Sequence, residues 1–174
     1  MKKLIATVIA ILTLASAAFA SFVEIDRKGE DTSVQSCIEK PVSPSISLFT
    51  YACLSEKWQE AYVGPELNGK AGDVAYQVAY GIGQETGGNR NGGWLWAGYK
   101  KLSAIYLSEN GATGPWAKGV IQYKVSPKLG LGYVKKSFAG EGVYLQYKLT
   151  NSATLKVSGF DKFKNSEIGL NFLF

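Results

Sequence analysis

Residues 166–174, SEIGLNFLF, decide the fold. The side chains of a β-strand alternate between its two faces, and in this stretch one face is apolar while the other is polar or small. The apolar face carries Ile168, Leu170, Phe172 and Phe174. The other face carries Glu167, Gly169 and Asn171. The pattern predicts a strand that separates an apolar environment from a polar one.

The same alternation continues towards the N-terminus, with turn residues between the strands. It is clearest over residues 73–83, where one face carries Val74, Tyr76, Val78, Tyr80 and Ile82. The predicted strands are 58–67, 73–83, 94–107, 117–126, 129–135, 142–150, 153–160 and 166–174. Residues 85–93, ETGGNRNGG, read as a long connection on the side where short turns are expected. We therefore predict an all-β, antiparallel, up-and-down transmembrane barrel of eight strands, with ten as the alternative if residues 32–54 supply a further pair.

Residues 1–20, MKKLIATVIAILTLASAAFA, have the pattern of a secretory signal peptide: two lysines, an apolar run and small residues before the cleavage position. The apolar run is shorter than the ~20 residues that a spanning helix needs. Cleavage is expected after Ala20. Residues 21–57 are polar, irregular and interrupted by prolines, and we expect an N-terminal periplasmic extension there, followed by the barrel over residues 58–174.

The last strand also resembles a known signature. Its polar residue, glycine, aromatic residue and final aromatic residue are Glu167, Gly169, Phe172 and Phe174. This spacing is similar to the terminal signature of bacterial outer-membrane β-barrels. The resemblance implies that the final strand closes the barrel and is read by the barrel-insertion machinery. It also implies an outer-membrane location, in contact with lipid and lipopolysaccharide, and similarity to small barrels such as the OmpA transmembrane domain and OmpX.

Charge and cysteine content limit the classes of partner and of chemistry that are expected for this protein. The formal charge of +5 falls to +3 when Lys2 and Lys3 leave with the signal peptide, and no basic run of five or more follows. A nucleic-acid surface is therefore not expected. Cys37 and Cys53 lie in the exported part, where a single disulfide bond is predicted. Two thiols without any histidine do not make a metal site, and no cofactor is expected.

Alternation alone does not say which face is outside, because a soluble carrier barrel turns its apolar face inward. The less apolar faces carry glycine and alanine, which suit a crowded barrel interior. Several aromatic residues fall near the predicted strand ends, where interfacial girdles lie in membrane barrels. They include Trp94, Trp96, Tyr106, Trp116, Tyr123 and Tyr147. Both features favour an apolar face turned to lipid.

This orientation predicts a polar network in the lumen. Its members are Gln77, Gln122, Lys124, Gln146, Lys148, Lys156, Glu167 and Asn171. Buried lysines are costly unless they are paired. We expect Glu167, together with Glu60, to neutralise some of the three lysines in a hydrogen-bonded plug.

Catalysis is not expected. Enzymes among outer-membrane barrels rely on a histidine, which this sequence lacks, and no nucleophile elbow is present. The interior of an eight-stranded barrel is about wide enough for side chains alone. The sequence thus favours a non-catalytic barrel with a structural or surface-interaction role and an unidentified surface partner. The alternatives are an exported soluble barrel that carries a small apolar ligand and a narrow outer-membrane channel.

Overall fold

A computed structural model describes residues 21–161 and 165–174. The predicted signal peptide, residues 1–20, lies outside the described residues. The chain forms twelve strands: β1 Ser21–Lys28, β2 Asp31–Ser43, β3 Ile46–Ser55, β4 Gln59–Ala71, β5 Val74–Glu85, β6 Gly88–Tyr99, β7 Leu102–Gly111, β8 Trp116–Lys124, β9 Leu129–Lys136, β10 Gly140–Lys148, β11 Ala153–Phe160 and β12 Asn165–Leu173. Within the described residues, no helix has the length and hydropathy needed to span a bilayer.

Each strand pairs antiparallel with its neighbours in sequence, and β1 pairs with β12, so that the sheet closes into a barrel. The prediction of an all-β, antiparallel, closed barrel is confirmed. The predicted number of strands is wrong, because the barrel has twelve strands rather than eight or ten.

Three of the additional strands lie in residues 21–57, which we predicted as a periplasmic extension and which instead form β1, β2 and β3. In β2 and β3 the lumen-facing positions include Ser33, Gln35 and Ser47, so the polar composition that suggested an irregular segment belongs to the inner face of the wall. The prolines do not break the sheet. Pro41 lies where the β2–β3 register shifts, at the end of the ladder, where proline is tolerated.

The fourth additional strand comes from residues 94–107, which we predicted as one strand. They belong to β6 and β7, which are joined by a two-residue turn at Lys100 and Lys101. Lys100 has φ 54°, the left-handed conformation that two-residue hairpins require. Because glycine, asparagine or aspartate usually occupies such a position, the turn left no signal in the sequence.

The glycine-rich stretch 85–93 is a strand rather than a long connection. Only Thr86 and Gly87 form the turn, and β6 begins at Gly88. Glycine is needed here because the wall is crowded: a Cβ atom at Gly93 would lie 1.9 Å from the backbone oxygen of Ala79 on β5. The sequence signal for a loop was therefore a signal for close packing of strands.

The apolar faces of the strands point outward. Tyr80 and Ile82 on β5 are 57% and 66% exposed, and Leu95, Tyr106 and Ile121 on the next three strands are each more than half exposed. The apolar face of the last strand points outward in the same way, while Glu167 and Asn171 are buried. This is the orientation of a barrel whose outer surface meets hydrocarbon, and it does not fit a carrier with an apolar interior.

The barrel has two ends. One end, which we call terminal, contains the start of β1, the end of β12 and the connections 44–45, 72–73, 100–101, 125–128 and 149–152. The opposite end, which we call distal, contains the connections 29–30, 56–58, 86–87, 112–115 and 137–139, together with the end of β11 and the start of β12. The strands have 8–13 residues each. This range includes the ~9–11 residues that a tilted strand needs to cross a bilayer.

A charge on the outer surface should destabilise the barrel in proportion to its depth. We expect Val78→Arg, at the middle of β5, to cost about 2–4 kcal/mol of unfolding free energy in phospholipid bilayers. Gln84→Arg, on the same face near the distal end of the same strand, should cost about 1 kcal/mol or less. Urea unfolding of the two variants in vesicles measures the difference. Equal tolerance of both arginines would contradict a lipid-facing surface.

Candidate functional site: the barrel lumen

The barrel encloses a cavity of about 780 Å³. Its lining begins at the distal end with Pro115, Trp116 and Phe138 and reaches Gln122 and Leu173 near the terminal end. Side chains from near both ends of the strands thus border the same space. The cavity therefore extends along the barrel axis rather than lying in one rim.

Two groups of apolar side chains narrow the lumen from opposite walls. One group, on β2 to β5, includes Phe49, Tyr51 and Tyr62, with Trp94 of β6 packed against it. The rings of Phe49 and Trp94 lie 4.5 Å apart and those of Tyr51 and Tyr62 lie 4.8 Å apart. The second group comprises Val120, Val134, Ala139, Tyr144 and Phe160. The cavity is therefore the space left between two packed clusters.

All four tryptophans of the chain line this cavity: Trp58, Trp94, Trp96 and Trp116. The expectation that Trp94, Trp96 and Trp116 form part of an interfacial girdle is therefore wrong. For Trp94 and Trp96 the turn at Lys100 and Lys101 explains the error, because it separates two strands in which opposite parities of residue number point inward. Trp116 lies on β8 and faces the lumen together with Lys118 and Gln122. Leu95 and Tyr106, rather than the tryptophans, are exposed on the outer surface.

Arg90 is the centre of a buried ionic cluster near the distal end. Its guanidinium contacts three glutamates: Nε lies 2.6 Å from Glu60, Nη2 lies 2.5 Å from Glu109, and Nη1 contacts Glu85. The Arg90 side chain is 2% exposed, and it also lies 4.9 Å from the centre of the Trp58 ring. One cation thus holds carboxylates from β4, β5 and β7 against β6.

Hydrogen bonds complete this cluster. The Tyr62 hydroxyl donates to Glu109 over 2.9 Å. The backbone N–H of Thr113 donates to Glu85 over 2.8 Å, and the Thr113 hydroxyl donates to the other oxygen of Glu85 over 2.9 Å. Since Thr113 lies in the connection between β7 and β8, the cluster also fixes that connection over the lumen.

Two further ion pairs lie along the inner wall on the opposite side of the barrel. Lys136 of β9 lies 2.6 Å from Glu167 of β12, and Lys156 of β11 contacts Glu24 of β1. Glu24 also accepts a hydrogen bond of 3.1 Å from Asn171. Neither pair joins strands that are adjacent in the sheet.

The structure contains only part of the predicted polar network. Gln77, Gln122 and Gln146 line the cavity, as does Lys156, but Lys156 pairs with Glu24 rather than with Glu167 or Glu60. Glu167 pairs with Lys136, and Glu60 pairs with Arg90, neither of which was among the predicted partners. Lys124 and Lys148 lie at the terminal ends of their strands. The predicted plug is corrected accordingly: the ion pairs follow the wall and leave a cavity beside them.

The predicted disulfide bond is also absent, since Cys37 and Cys53 are free thiols. In the β2–β3 register, Cys37 faces Tyr51 and Cys53 faces Gln35, so the cysteines are diagonal neighbours rather than partners. Diagonal neighbours have Cα atoms about 7–8 Å apart, whereas a disulfide bond usually requires less than about 6.8 Å. Both thiols line the lumen.

Within residues 21–161 and 165–174, no three side chains of histidine, cysteine, aspartate or glutamate are placed to hold a metal ion. The sequence contains no histidine, so the base of a histidine-dependent hydrolase is missing.

The closed twelve-stranded wall, the apolar outer surface and the polar lumen define an outer-membrane β-barrel with a porin-like fold. No protein-family model matches the sequence, and no curated protein matches it either. Among solved structures, the chain is similar to the KdgM porin in complex with disordered oligogalacturonate, with a TM-score of 0.64 and 14% identity over 90% of this chain and 99% of that one.

Two further structures share the architecture. The NanC porin gives a TM-score of 0.58 and 10% identity over 89% of this chain and 99% of that one. The outer membrane phospholipase A from Escherichia coli gives a TM-score of 0.51 and 10% identity over 89% of this chain and 90% of that one. At these identities the likeness concerns the fold. A specific similarity to OmpA or OmpX is not confirmed.

The Arg90 cluster should be the most sensitive polar site in the barrel. Arg90→Leu leaves three buried carboxylates without their cation, and we expect it to cost about 3–5 kcal/mol of unfolding free energy. The other arginine of the chain provides a matched control: Arg27 is exposed, and Arg27→Leu should cost about 0.5 kcal/mol or less. Urea unfolding in detergent micelles measures both. Comparable losses for the two variants would contradict the role assigned to Arg90.

Proposed function

We propose that this protein is a narrow outer-membrane channel for small hydrophilic solutes. The cavity of about 780 Å³ carries this proposal, because side chains from near both ends of the barrel line it and many of them are polar. A barrel of purely structural function has no need for a lumen that remains open between its packed side chains.

The strand number supports the same conclusion. The sequence favoured a structural or surface-interaction role partly because eight strands leave room for little more than side chains. Barrel diameter grows roughly linearly with strand number, so twelve strands enclose a wider interior. The reason for ranking a channel below a structural barrel therefore disappears.

The lumen charges point to a mild preference for cations over anions. Four acidic side chains line the cavity: Glu24, Glu39, Glu60 and Glu109. Four basic side chains line it as well: Arg90, Lys118, Lys136 and Lys156. Two further carboxylates, Glu85 and Glu167, pair with Arg90 and Lys136, so the lining and its ion-pair partners together hold six acidic and four basic side chains. This small acidic excess favours neutral solutes and cations over anions.

A catalytic role has less support. The likeness to a phospholipase shows that this fold is not restricted to channels. A hydrolase of that kind needs a nucleophile with a general base in reach. This chain offers no histidine, and its most buried charged cluster consists of one guanidinium saturated by three carboxylates.

The channel hypothesis predicts discrete current steps when the purified protein is added to a planar lipid bilayer. Ser103→Trp, which places a large side chain in the lumen, should reduce the step size, because Ser103 lines the cavity. Leu102→Trp, on the outer face of the same strand, should leave the step size unchanged, since an interfacial tryptophan is well tolerated there. Folded protein that inserts into bilayers but gives no steps would contradict the proposal.

The same recordings test the predicted mild preference for cations. In a salt gradient, the reversal potential should be displaced modestly from zero towards the Nernst potential of the cation, because acidic side chains outnumber basic ones in the lining and its ion pairs. A reversal potential displaced towards the Nernst potential of the anion would contradict this prediction.

A further inference from the structure

One part of the lumen wall is uncharged over several successive strands. It contains five residues, which we call the amide band: Gln77, Trp96, Ser103, Gln122 and Gln146. They belong to β5, β6, β7, β8 and β10, and all five line the cavity. On each of these strands the band residue lies nearer to the terminal end than to the distal end.

The pairing register joins the band residues in two direct pairs. Gln77 lies directly opposite Trp96, and Ser103 lies directly opposite Gln122. Directly opposite residues on one face of a sheet have Cβ atoms about 4.5–5.5 Å apart. Between the pairs the band residues lie opposite glycines: Ser103 lies opposite Gly98, two residues after Trp96, and Gln146 lies opposite Gly130 of β9.

Two glycines leave room along the wall for the larger side chains of the band. A Cβ atom at Gly98 would lie 2.7 Å from Cη2 of Trp96, and one at Gly130 would lie 1.8 Å from Nε2 of Gln122. The indole ring therefore extends over Gly98, which lies opposite Ser103, and the amide of Gln122 extends over Gly130, which lies opposite Gln146. The band thus forms one surface that places an aromatic ring beside amide groups.

The amides of the band are not used to hold the barrel together. Within residues 21–161 and 165–174, the side chains of Gln77, Gln122 and Gln146 form no hydrogen bond with another residue. Two of the three other glutamines behave differently: Gln35 donates to Asp26 over 2.7 Å, and Gln84 donates to Asn89 over 2.6 Å. Each free amide offers one acceptor and two donors to a solute in the cavity.

The charge directly opposite the band is neutralised. The nearest charged residue in the register is Lys156, which lies opposite Gln146, and its ammonium group contacts Glu24. Lys124 and Lys148 follow Gln122 and Gln146 by two residues, at the terminal ends of their strands, and neither lines the cavity. A solute against the band therefore meets one aromatic ring, one hydroxyl and three amides, with two lysines bordering the band on its terminal side.

We propose that the amide band is a binding subsite for a neutral saccharide. A pyranose ring has an apolar face of C–H groups, which packs on an indole ring, and a rim of hydroxyl groups, each of which both donates and accepts. Glutamine side chains match such hydroxyls because they carry both donors and acceptors. Aromatic surface with a few polar groups is the general composition of small-molecule sites. This inference rests on the proposed function as a channel and names its solute.

The test is current block by maltotriose, a neutral trisaccharide, in planar bilayers that contain the wild-type protein or a variant. Maltotriose should reduce the current in a concentration-dependent way. Trp96→Ala should raise the half-blocking concentration about tenfold or more, as expected for an aromatic anchor of a binding site. Gln122→Leu, which has a similar size without the amide, should raise it as well.

Trp116→Ala is the matched control, because Trp116 lines the same cavity near the distal end, outside the band. It should keep the half-blocking concentration within about twofold of the wild type. The difference in gel mobility between unheated and boiled samples verifies that each variant folds. Trp96→Phe provides a second variant that keeps a ring, and it should retain most of the block.

Binding is also measured without current, by equilibrium dialysis of labelled maltotriose against protein in a detergent that carries no sugar headgroup. This arm separates the two proposals. Absence of current steps together with Trp96-dependent binding would overturn the channel and support the subsite. Current steps without saturable binding up to roughly 50 mM maltotriose would overturn the subsite alone.

Two further outcomes would overturn the subsite. One is equal binding of maltotriose by the wild type and by Trp96→Ala. The other is a stronger block by trigalacturonate than by maltotriose, since this would place the recognition with charged side chains rather than with the band.

Discussion

The pairing of β1 with β12 is the constraint on which the rest of the structure depends. Hydrocarbon offers no hydrogen-bond partners, so a sheet in a bilayer is stable only when it has no open edge. The seam joins six residue pairs, from Phe22 opposite Leu173 to Arg27 opposite Ile168. Once it is formed, each strand has two partners and two faces, one towards lipid and one towards the lumen. The cavity and its lining are consequences of that closure.

The alternation of side chains made the class of fold predictable, whereas the strand number was not. Apolar residues at every second position identified strands wherever the inner face was small or polar, as on β5 and β12. The alternation was hidden on β2, because Ser36 and Lys40 make its outer face partly polar as well. It was also interrupted at Lys100 and Lys101, because a two-residue turn reverses the parity that points inward. The sequence preferences of turns are statistical, and this turn is formed by two lysines, which are not among the residues that usually indicate a turn.

The composition of the lumen could be predicted from the sequence to a limited extent. Gln77, Gln122, Gln146 and Lys156 were predicted to face the lumen from parity along single strands, and they line the cavity. Their partners could not be identified, because Glu24 with Lys156 and Lys136 with Glu167 join strands that are not adjacent in the sheet. Such contacts depend on the number of strands and on the stagger between them, and neither can be determined from the local sequence. The Arg90 cluster was missed for a related reason, since Arg90 lay in a stretch interpreted as a loop.

The two ends of the lumen satisfy their polar groups in different ways, and this contrast explains how one barrel combines stability with a site for solutes. Near the distal end, Arg90 and its three carboxylates are bonded to one another and to Thr113, so little hydrogen-bonding capacity remains for a solute. Towards the terminal end, glycines leave room for neighbouring side chains along the wall, and the amides of Gln77, Gln122 and Gln146 face the cavity. Neutral amides can be left facing a hydrated cavity at small cost, whereas an unpaired buried charge cannot. Because the charges are paired on the wall and the neutral groups face the cavity, the stability of this barrel does not depend on the groups that we assign to the binding of solutes.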